Sequence, residues 1–490
     1  MDGDRESLMQ LKAVHKCLAG WLLAIAVCGC ALGQTAPPTP DRPWNSLDAQ
    51  QMRSLSSTVP QPPFTIDPGK SYSLPELVDL AEQHNPATRL AWERAKSRAA
   101  TLGIARSEWY PVISGVAAAQ VQRFALLFNT NFIRQTVSNV QPALTLNYTI
   151  LDFGRRSARV EGASAELLAT DFGFNDTHRR IIYQVEEAYY RVLSTAVQQQ
   201  AAEANLQNAQ TVQQSAEDRL KNGLATLPDV LEARSATAQA QFDLQSAIGA
   251  AEIARGDLAT ALGTSATISV KVEPVTSLVT PDSVEGTVEQ LIERALQQRP
   301  DLMQQVAELR ARQAAAKEAK SAYYPTLSVN ALAGPQALYG FQEQFPSDST
   351  TLLTGYAGAT LSWTIFDGGA RRSALARAEA DSRAATSQIN VTRDQIADEV
   401  WRAYSNVKTA FRQREAATAL LQAAEQSYDA ALEAYKYGVR NLLDVTAAQR
   451  ALAQARSADI SAQTQVLTTL AELAFRTGDL LNAPTKQVKP

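Results

Sequence analysis

Residues 144–156 read LTLNYTILDFGRR, and within this stretch the chain changes from one structural period to another. Apolar and polar residues alternate as far as Ile150, which is typical of a half-buried strand. The DFG sequence at 152–154 then marks a turn, and a helical period begins at Arg155. Residues 357–372, AGATLSWTIFDGGARR, repeat the same order. The sequence therefore predicts two similar strand-to-helix junctions.

Other landmarks return at nearly the same spacing as these junctions. They are Asn-Pro at 85–86 with Arg-Pro at 299–300, Trp-Tyr-Pro at 109–111 with Tyr-Tyr-Pro at 323–325, and Gly223 with Gly438. The first two pairs lie 214 residues apart and the glycines 215. Because unrelated helical segments would not keep such landmarks in phase, the spacing indicates an internal two-fold repeat.

Each repeat is predicted to contain a helix pair, a strand hairpin and a long helical hairpin, in that order. The predicted boundaries are 74–284 and 285–479 for the repeats, 111–150 and 325–366 for the strand hairpins, 155–262 and 370–477 for the helical hairpins, and 480–490 for a C-terminal tail. Polar loops are predicted inside the strand hairpins, near residues 128–136 and 345–350. Apolar residues between Ile396 and Tyr435 recur every three or four positions, which is typical of a coiled-coil seam.

The N-terminus has the features of an export signal. Basic residues precede an apolar run from Leu18 to Val27 that is too short to span a bilayer, so residues 1–30 are predicted to be a signal peptide. Its end resembles a lipoprotein signal in which Cys30 is lipidated after cleavage, and ordinary cleavage after Gly33 is the alternative. Residues 31–73 are rich in proline and are predicted to form an extended tether.

Composition argues against several classes of function. The chain has 46 Lys and Arg against 50 Asp and Glu, so no basic excess is available for a nucleic-acid backbone. It has only three histidines, and its three cysteines all lie within the first 30 residues. These numbers leave little for a metal site or a catalytic triad. We therefore expect no enzyme activity, no cofactor and no nucleic-acid partner.

The ordered, duplicated landmarks resemble the TolC-like outer membrane efflux protein family, also called outer membrane factors, over residues 74–478. The resemblance implies a fold that mixes long helices with transmembrane strands. In it, a homotrimer shares one outer-membrane β-barrel, with four strands from each protomer, and a long α-helical barrel in the periplasm. Four strands cannot close a barrel alone, so the edge strands require other copies of the chain.

The resemblance also implies a function. The chain would be the passive exit duct of a tripartite efflux or type I secretion system, in contact with outer-membrane lipid. It would dock with a periplasmic membrane-fusion adaptor and an inner-membrane RND or ABC transporter. The transported substrate does not follow from the sequence, because in this family the pump selects it.

Site residues follow from the same resemblance, and they lie at the two turns between long helices. Residues matching the family's adaptor-docking tips are Arg219, Gly223, Leu224, Thr226, Asp229, Gly438, Val439 and Asn441. Residues matching its periplasmic gate are Tyr435, Arg440 and Asp444. Helix capping is the alternative role for both glycines and for Asp229 and Asp444. Ala447 stands where the family prototype has a second aspartate, so at most one acidic ring is expected.

A second class of function stays open at the level of sequence. Long helical hairpins and a lipidated Cys30 would also suit a lipid-anchored periplasmic coiled-coil scaffold or adaptor protein, with the strand hairpins in a soluble sheet. Membrane fractionation of a Cys30→Ala variant separates the two, since lipid alone would hold the scaffold.

Overall fold

Helices and strands follow one another in the same order in both halves of the chain. The computed structural model describes residues 66–482, apart from 68, 129–130, 274–285 and 343–344, together with residue 52. The strands are β1 (Ser71–Tyr72), β2 (Val112–Phe128), β3 (Asn131–Leu151), β4 (Lys271–Val272), β5 (Thr326–Gln342) and β6 (Phe345–Ser362). The helices are α1 (Leu74–His84), α2 (Pro86–Ser107), α3 (Arg155–Lys221), α4 (Leu227–Ala261), α5 (Val288–Gln298), α6 (Pro300–Ser321), α7 (Ala370–Lys436) and α8 (Leu442–Thr477). A 3-10 helix at Asp479–Asn482 occupies the start of the predicted tail.

The start of the chain lies largely outside the described residues, and so do the predicted signal peptide and Cys30. The tether prediction is wrong at its C-terminal end. There, β1 pairs in parallel with β4, and Tyr72 is buried with its hydroxyl accepting the Asp67 N–H at 3.1 Å. No proline follows Pro68 before β1, so the N–H groups of this short segment are free to enter a ladder.

The four long strands form one antiparallel sheet in the order β2-β3-β5-β6. The predicted polar loops are wrong, because β2 runs on to Phe128, β3 starts at Asn131 and β6 starts at Phe345. In this region Thr136 pairs with Arg123, so polar residues lie inside the ladder. Hydrogen bonds between strands stabilise a segment in which apolar and polar residues alternate only weakly. The periodicity of the sequence gives no sign of these bonds. The sheet joins both repeats through the β3–β5 pairing and leaves β2 and β6 as edges.

At each strand-to-helix junction, an aspartate forms a salt bridge with an arginine four residues later. In the first repeat, Arg156 Nε donates to Asp152 Oδ2 at 2.7 Å, and the guanidinium lies 4.6 Å from the Trp109 ring centroid. In the second repeat, Arg371 Nε donates to Asp367 Oδ2, also at 2.7 Å. The glycine preceding each long helix has a positive φ, which explains its place in the repeated motif. The junctions predicted from the sequence thus have a common physical cause.

The helices pack side by side in two rows that share α3 and α7. Nearer the sheet the contacts run α2–α3–α6–α7, and nearer the far ends of the long helices they run α4–α3–α8–α7. None of the helices over the described residues is both long enough and apolar enough to cross a membrane. Each row has two outer edges, formed by α2 or α4 on one side and by α7 on the other.

The Asn-Pro and Arg-Pro steps form hydrogen bonds to the ends of α4 and α8, the second helices of the two helical hairpins. Asn85 Nδ2 donates to the Ala261 carbonyl at 2.9 Å at the end of α4, and Arg299 Nη1 donates to the Arg476 carbonyl at 3.4 Å at the end of α8. Gly263 follows α4 with φ 80°, and a Cβ there would lie 2.7 Å from Pro86 Cδ. This position requires glycine on both grounds. In each repeat, the X-Pro step between the first two helices therefore contacts the end of the last helix.

A buried charged network joins the two repeats beside the second X-Pro step. Arg179 on α3 is 1% exposed; its Nε donates to Asp176 Oδ1 at 3.1 Å and its Nη1 to the Phe475 carbonyl at 2.9 Å. Arg299 donates to Asp301 at 2.6 Å and to Glu399 at 2.7 Å. The first repeat has only the neutral Asn85 at the corresponding place, so the two joints differ in electrostatics.

Candidate functional site

The far ends of the two helical hairpins form similar turns, here named tip 1 (residues 219–231) and tip 2 (residues 435–445). In tip 1 the Gly223 N–H bonds to the Leu220 carbonyl at 3.0 Å, and the next N–H bonds five residues back at 2.8 Å. Tip 2 repeats this pair of bonds around Gly438, at 3.0 and 2.9 Å. Both glycines have positive φ, 71° and 74°. Glycine capping, the simpler role considered for both, is therefore present in the structure.

The polar residues of the tips mainly cap the returning helices. Asp229 Oδ2 accepts the Thr226 N–H at 2.8 Å and its hydroxyl at 2.7 Å, and these bonds hold the pKa of Asp229 below its usual value. In tip 2, Asn441 Oδ1 accepts the N–H of Asp444 at 3.0 Å. The capping groups are thus already engaged within one protomer.

Arg219 connects the two tips. Its Nη1 donates to the Tyr435 carbonyl at 2.8 Å, and its guanidinium carbon lies 4.6 Å from the centroid of the Tyr435 ring. Tyr435 is 5% exposed, and burial raises the pKa of its hydroxyl. Among the residues that the structure describes, none forms a hydrogen bond with the buried Tyr435 Oη or the buried Arg219 Nε. The sequence placed Arg219 on a docking surface and gave no sign of this contact between hairpins.

The three residues predicted to form the gate are not joined within one protomer. Tyr435 is buried, Arg440 is exposed and Asp444 is half-buried. Over the described part of the chain, no side-chain hydrogen bond or ion pair links Arg440 to either of the others. Arg440 and Asp444 therefore have side-chain surface available for contacts outside their own protomer.

The tips present apolar side chains to solvent. Leu224 is 68% exposed, Tyr437 81% and Val439 78%. Leu227 and Leu443 are also exposed; like Tyr437, they lie in the segments predicted to form the tips but were not among the predicted site residues. The available signal was the surplus of apolar residues in the first turns of α4 and α8, where Val230 and Leu442 enter the core and Leu227 and Leu443 do not. Together these five residues form an apolar surface distributed over both tips.

Beneath this surface the hairpins share an apolar core. Buried residues from all four helices line it, including Val212, Val230, Tyr428 and Val445. A second polar contact crosses the hairpins, where Arg450 Nη2 lies 2.8 Å from Glu232 Oε1 at the exposed surface. Within the described ranges, no group of three or more His, Cys, Asp or Glu side chains is placed to hold a metal ion. The tips thus combine an exposed apolar surface with a packed apolar core beneath it.

Comparison with known proteins identifies the family. The sequence model of the outer membrane efflux proteins matches residues 77–264 and 291–479, one segment in each repeat. Protein CyaE of Bordetella pertussis is 27% identical over 479 residues, 94% of each chain. Outer membrane protein OprJ of Pseudomonas aeruginosa is 25% identical over 467 residues, 92% of this chain and 93% of OprJ.

The solved structures agree with the sequence comparison. The crystal structure of a membrane protein from Pseudomonas aeruginosa superposes with a TM-score of 0.73 at 26% identity, covering 83% of this chain and 93% of that one. The TolC-like fold predicted from the sequence is thereby confirmed. On this evidence the chain belongs to the outer membrane efflux protein family.

Proposed function

We propose that this chain is one protomer of a homotrimeric, passive exit duct of the outer membrane, which docks with a periplasmic adaptor and an inner-membrane RND or ABC transporter. Family membership and the similarity to the outer membrane protein OprJ support the duct. The observation that carries the trimer is the presence of unpaired edges in the described sheet and helix rows.

The helical edges carry matching seams spaced four and three residues apart. On α4 the seam consists of exposed residues Leu231, Ser235, Ala238, Phe242 and Gln245; on α7 it consists of exposed residues Ala416, Leu420, Ala423, Ser427 and Ala430. Both seams point away from the helices that α4 and α7 contact within the protomer. A heptad seam of small and apolar residues fits a neighbouring helix at close distance. The α7 seam of one copy would therefore pack on the α4 seam of the next.

The sheet edges support the same assembly. Within the described residues, β2 and β6 each pair on one side only, leaving a row of backbone donors and acceptors. Long unpaired edges need a partner, and a head-to-tail contact that closes into a ring satisfies all of them. Three copies would then share one continuous wall of strands and one of helices.

The tips support adaptor docking and closure. The apolar surface of Leu224, Tyr437 and Val439 lies at the ends farthest from the sheet, where an adaptor would arrive from the periplasm. Arg440 and Asp444 have side chains available for contacts between protomers at the narrow end of the duct. One Asp444 per protomer would give a ring of three carboxylates, which favours cations.

The trimer is tested by placing a charge on the α7 seam. The Ala423→Glu variant should lose the trimer in mild detergent, because the carboxylate would be buried against the next protomer. Gln422→Glu is the matched control, since residue 422 is an exposed neighbour outside the seam, and it should remain trimeric. The native trimer should conduct ions in planar bilayers. A native protein that is monomeric and forms no pore would contradict the proposed function.

A further inference from the structure

We propose that the chain binds a soluble organic anion, with two or more carboxylate or phosphate groups, in a trough between α2 and α6. The trough lies over α3 and has a volume of about 560 Å³, within the range of about 300–1,000 Å³ that is usual for ligand sites. Its walls carry four arginines, namely Arg94 and Arg98 on α2, Arg180 on α3 and Arg312 on α6. We name it the arginine trough. The inference goes beyond the exit-duct function and does not depend on it, because all these groups belong to one protomer.

Among the described residues, the arginines of the trough outnumber its carboxylates. The carboxylates are those of Glu166, Asp176 and Glu308. Arg98 Nη1 donates to Glu166 Oε2 at 3.0 Å. Asp176 is paired with Arg180 at 2.7 Å and also accepts a hydrogen bond from the buried Arg179, which does not line the trough. The trough therefore has an excess of positive charge.

Two of the four arginines are available for a ligand. Over the described part of the chain, no ion pair or side-chain hydrogen bond engages Arg94 or Arg312, and both residues are exposed. The planar fork of a guanidinium matches the geometry of a carboxylate or a phosphate. In the Arg98–Glu166 pair both side chains are about half exposed. Such a pair contributes little, so a ligand can compete for Arg98 as well.

The floor of the trough is kept open by Gly173. A Cβ at this position would lie 3.2 Å from Gln304 Oε1, and glycine is unfavourable in the interior of a helix. The second repeat does without it, because α7 has Gln388 at the equivalent position 215 residues later and Gln395 in place of Arg180. The duplicated fold therefore does not require this glycine, and a ligand site gives it a purpose.

The position of the trough favours a soluble anion over a lipid headgroup. Glu166 lies about 16 Å along α3 from Arg155, where the helix leaves the sheet. Arg180 lies about 60 Å from the other end of the helix at Lys221. The trough is thus distant from both the strands and the tips. It also contains no residue of the α4 or α7 seam, so the proposed trimer does not use its side chains.

The test measures citrate binding to the full-length protein in detergent by isothermal titration calorimetry. The native protein should bind citrate at low ionic strength, and added salt should weaken binding. The double variant Arg94→Gln/Arg312→Gln should bind about tenfold more weakly or worse, because it loses two charge-assisted contacts; a factor of ten corresponds to about 1.4 kcal/mol. The matched control, Arg89→Gln/Arg310→Gln, removes two exposed arginines of the same helices outside the trough. It should bind citrate like the native protein.

Two further variants change the floor and the charge of the trough. Gly173→Gln introduces the side chain that α7 has at the equivalent position, so it should fill the trough and abolish binding. Trimer bands and helical circular dichroism establish that this variant is folded. Glu308→Gln should strengthen binding, because it removes a carboxylate that repels the ligand.

The proposal is overturned if the native protein does not bind citrate, or if both arginine double variants lose binding to the same extent. Weaker binding by Glu308→Gln would also contradict it. Phosphatidylglycerol in mixed micelles should not displace citrate, and displacement would overturn the assignment to a soluble anion. A native chain that binds citrate but forms neither trimers nor pores would refute the exit duct alone, so the two failures are distinguishable.

Discussion

Replacement of Arg179 by methionine should destabilise the protein far more than the same replacement at Arg180. Both arginines lie on α3 and both pair with Asp176, so the comparison changes burial while keeping the ion-pair partner constant. Arg179 is 1% exposed, whereas the Arg180 side chain is 63% exposed and its Nε lies 2.7 Å from Asp176 Oδ2.

The magnitude follows from what each substitution leaves behind. Without Arg179, the Phe475 carbonyl loses a donor at 2.9 Å and Asp176 Oδ1 loses its bond in a buried place. Removal of one partner from a buried pair costs about 3–5 kcal/mol. Removal of Arg180 takes away an exposed partner, and such pairs contribute about 0–1 kcal/mol. We therefore expect a difference of about 3 kcal/mol between the variants.

The assay is urea unfolding in detergent, followed by far-ultraviolet circular dichroism, for the native protein and both variants. A second measurement repeats Arg179→Met in an Asp176→Asn background. There its cost should fall by about 1.5–3 kcal/mol, because a neutral amide replaces the carboxylate whose buried Oδ1 loses the Arg179 donor. The reasoning is refuted if Arg179→Met and Arg180→Met differ by less than about 1 kcal/mol, or if the Asn background makes no difference.

Three further outcomes are expected. Burial raises the pKa of Glu186 from 4.5 to about 7 in the folded state. As the pH rises through that range, the folded state must bury a charged carboxylate and therefore loses stability. Glu186→Gln should thus stabilise the protein at about pH 8, on the order of 3 kcal/mol, but not at about pH 4. Equal unfolding midpoints at high pH would contradict this. Val439→Asp should abolish co-purification with the adaptor while trimer and conductance persist; retained adaptor would exclude tip 2 from docking. Cys30→Ala should lose fatty-acid labelling yet stay in the outer-membrane fraction, whereas release to the periplasm would indicate anchoring by lipid alone.

Much of the local architecture could be predicted from the sequence. Helix ends near Gly223 and Gly438 follow from the glycine preference for positive φ, and the junctions at Asp152 and Asp367 follow from a change of period at a turn. These features depend on residues close together in the chain. Their repetition at nearly constant spacing made the resemblance to one family specific.

Other features required the tertiary structure. The predicted loop near 128–136 proved to be mostly strand, because its polar residues pair with a partner strand that periodicity cannot specify. The end of the predicted tether pairs with residues 271–272, about two hundred positions away. In both places long-range hydrogen bonds outweigh weak local signals.

The tips show the same division most clearly. The sequence by itself determined that two glycine turns join long helices and that exposed, capping and charged residues cluster there, because each of these properties is local. Only the tertiary structure decided that Arg219 reaches across to the Tyr435 carbonyl. These residues lie 216 positions apart, and their contact depends on how two separate hairpins pack. Packing is a property of the whole core, so no local pattern records it.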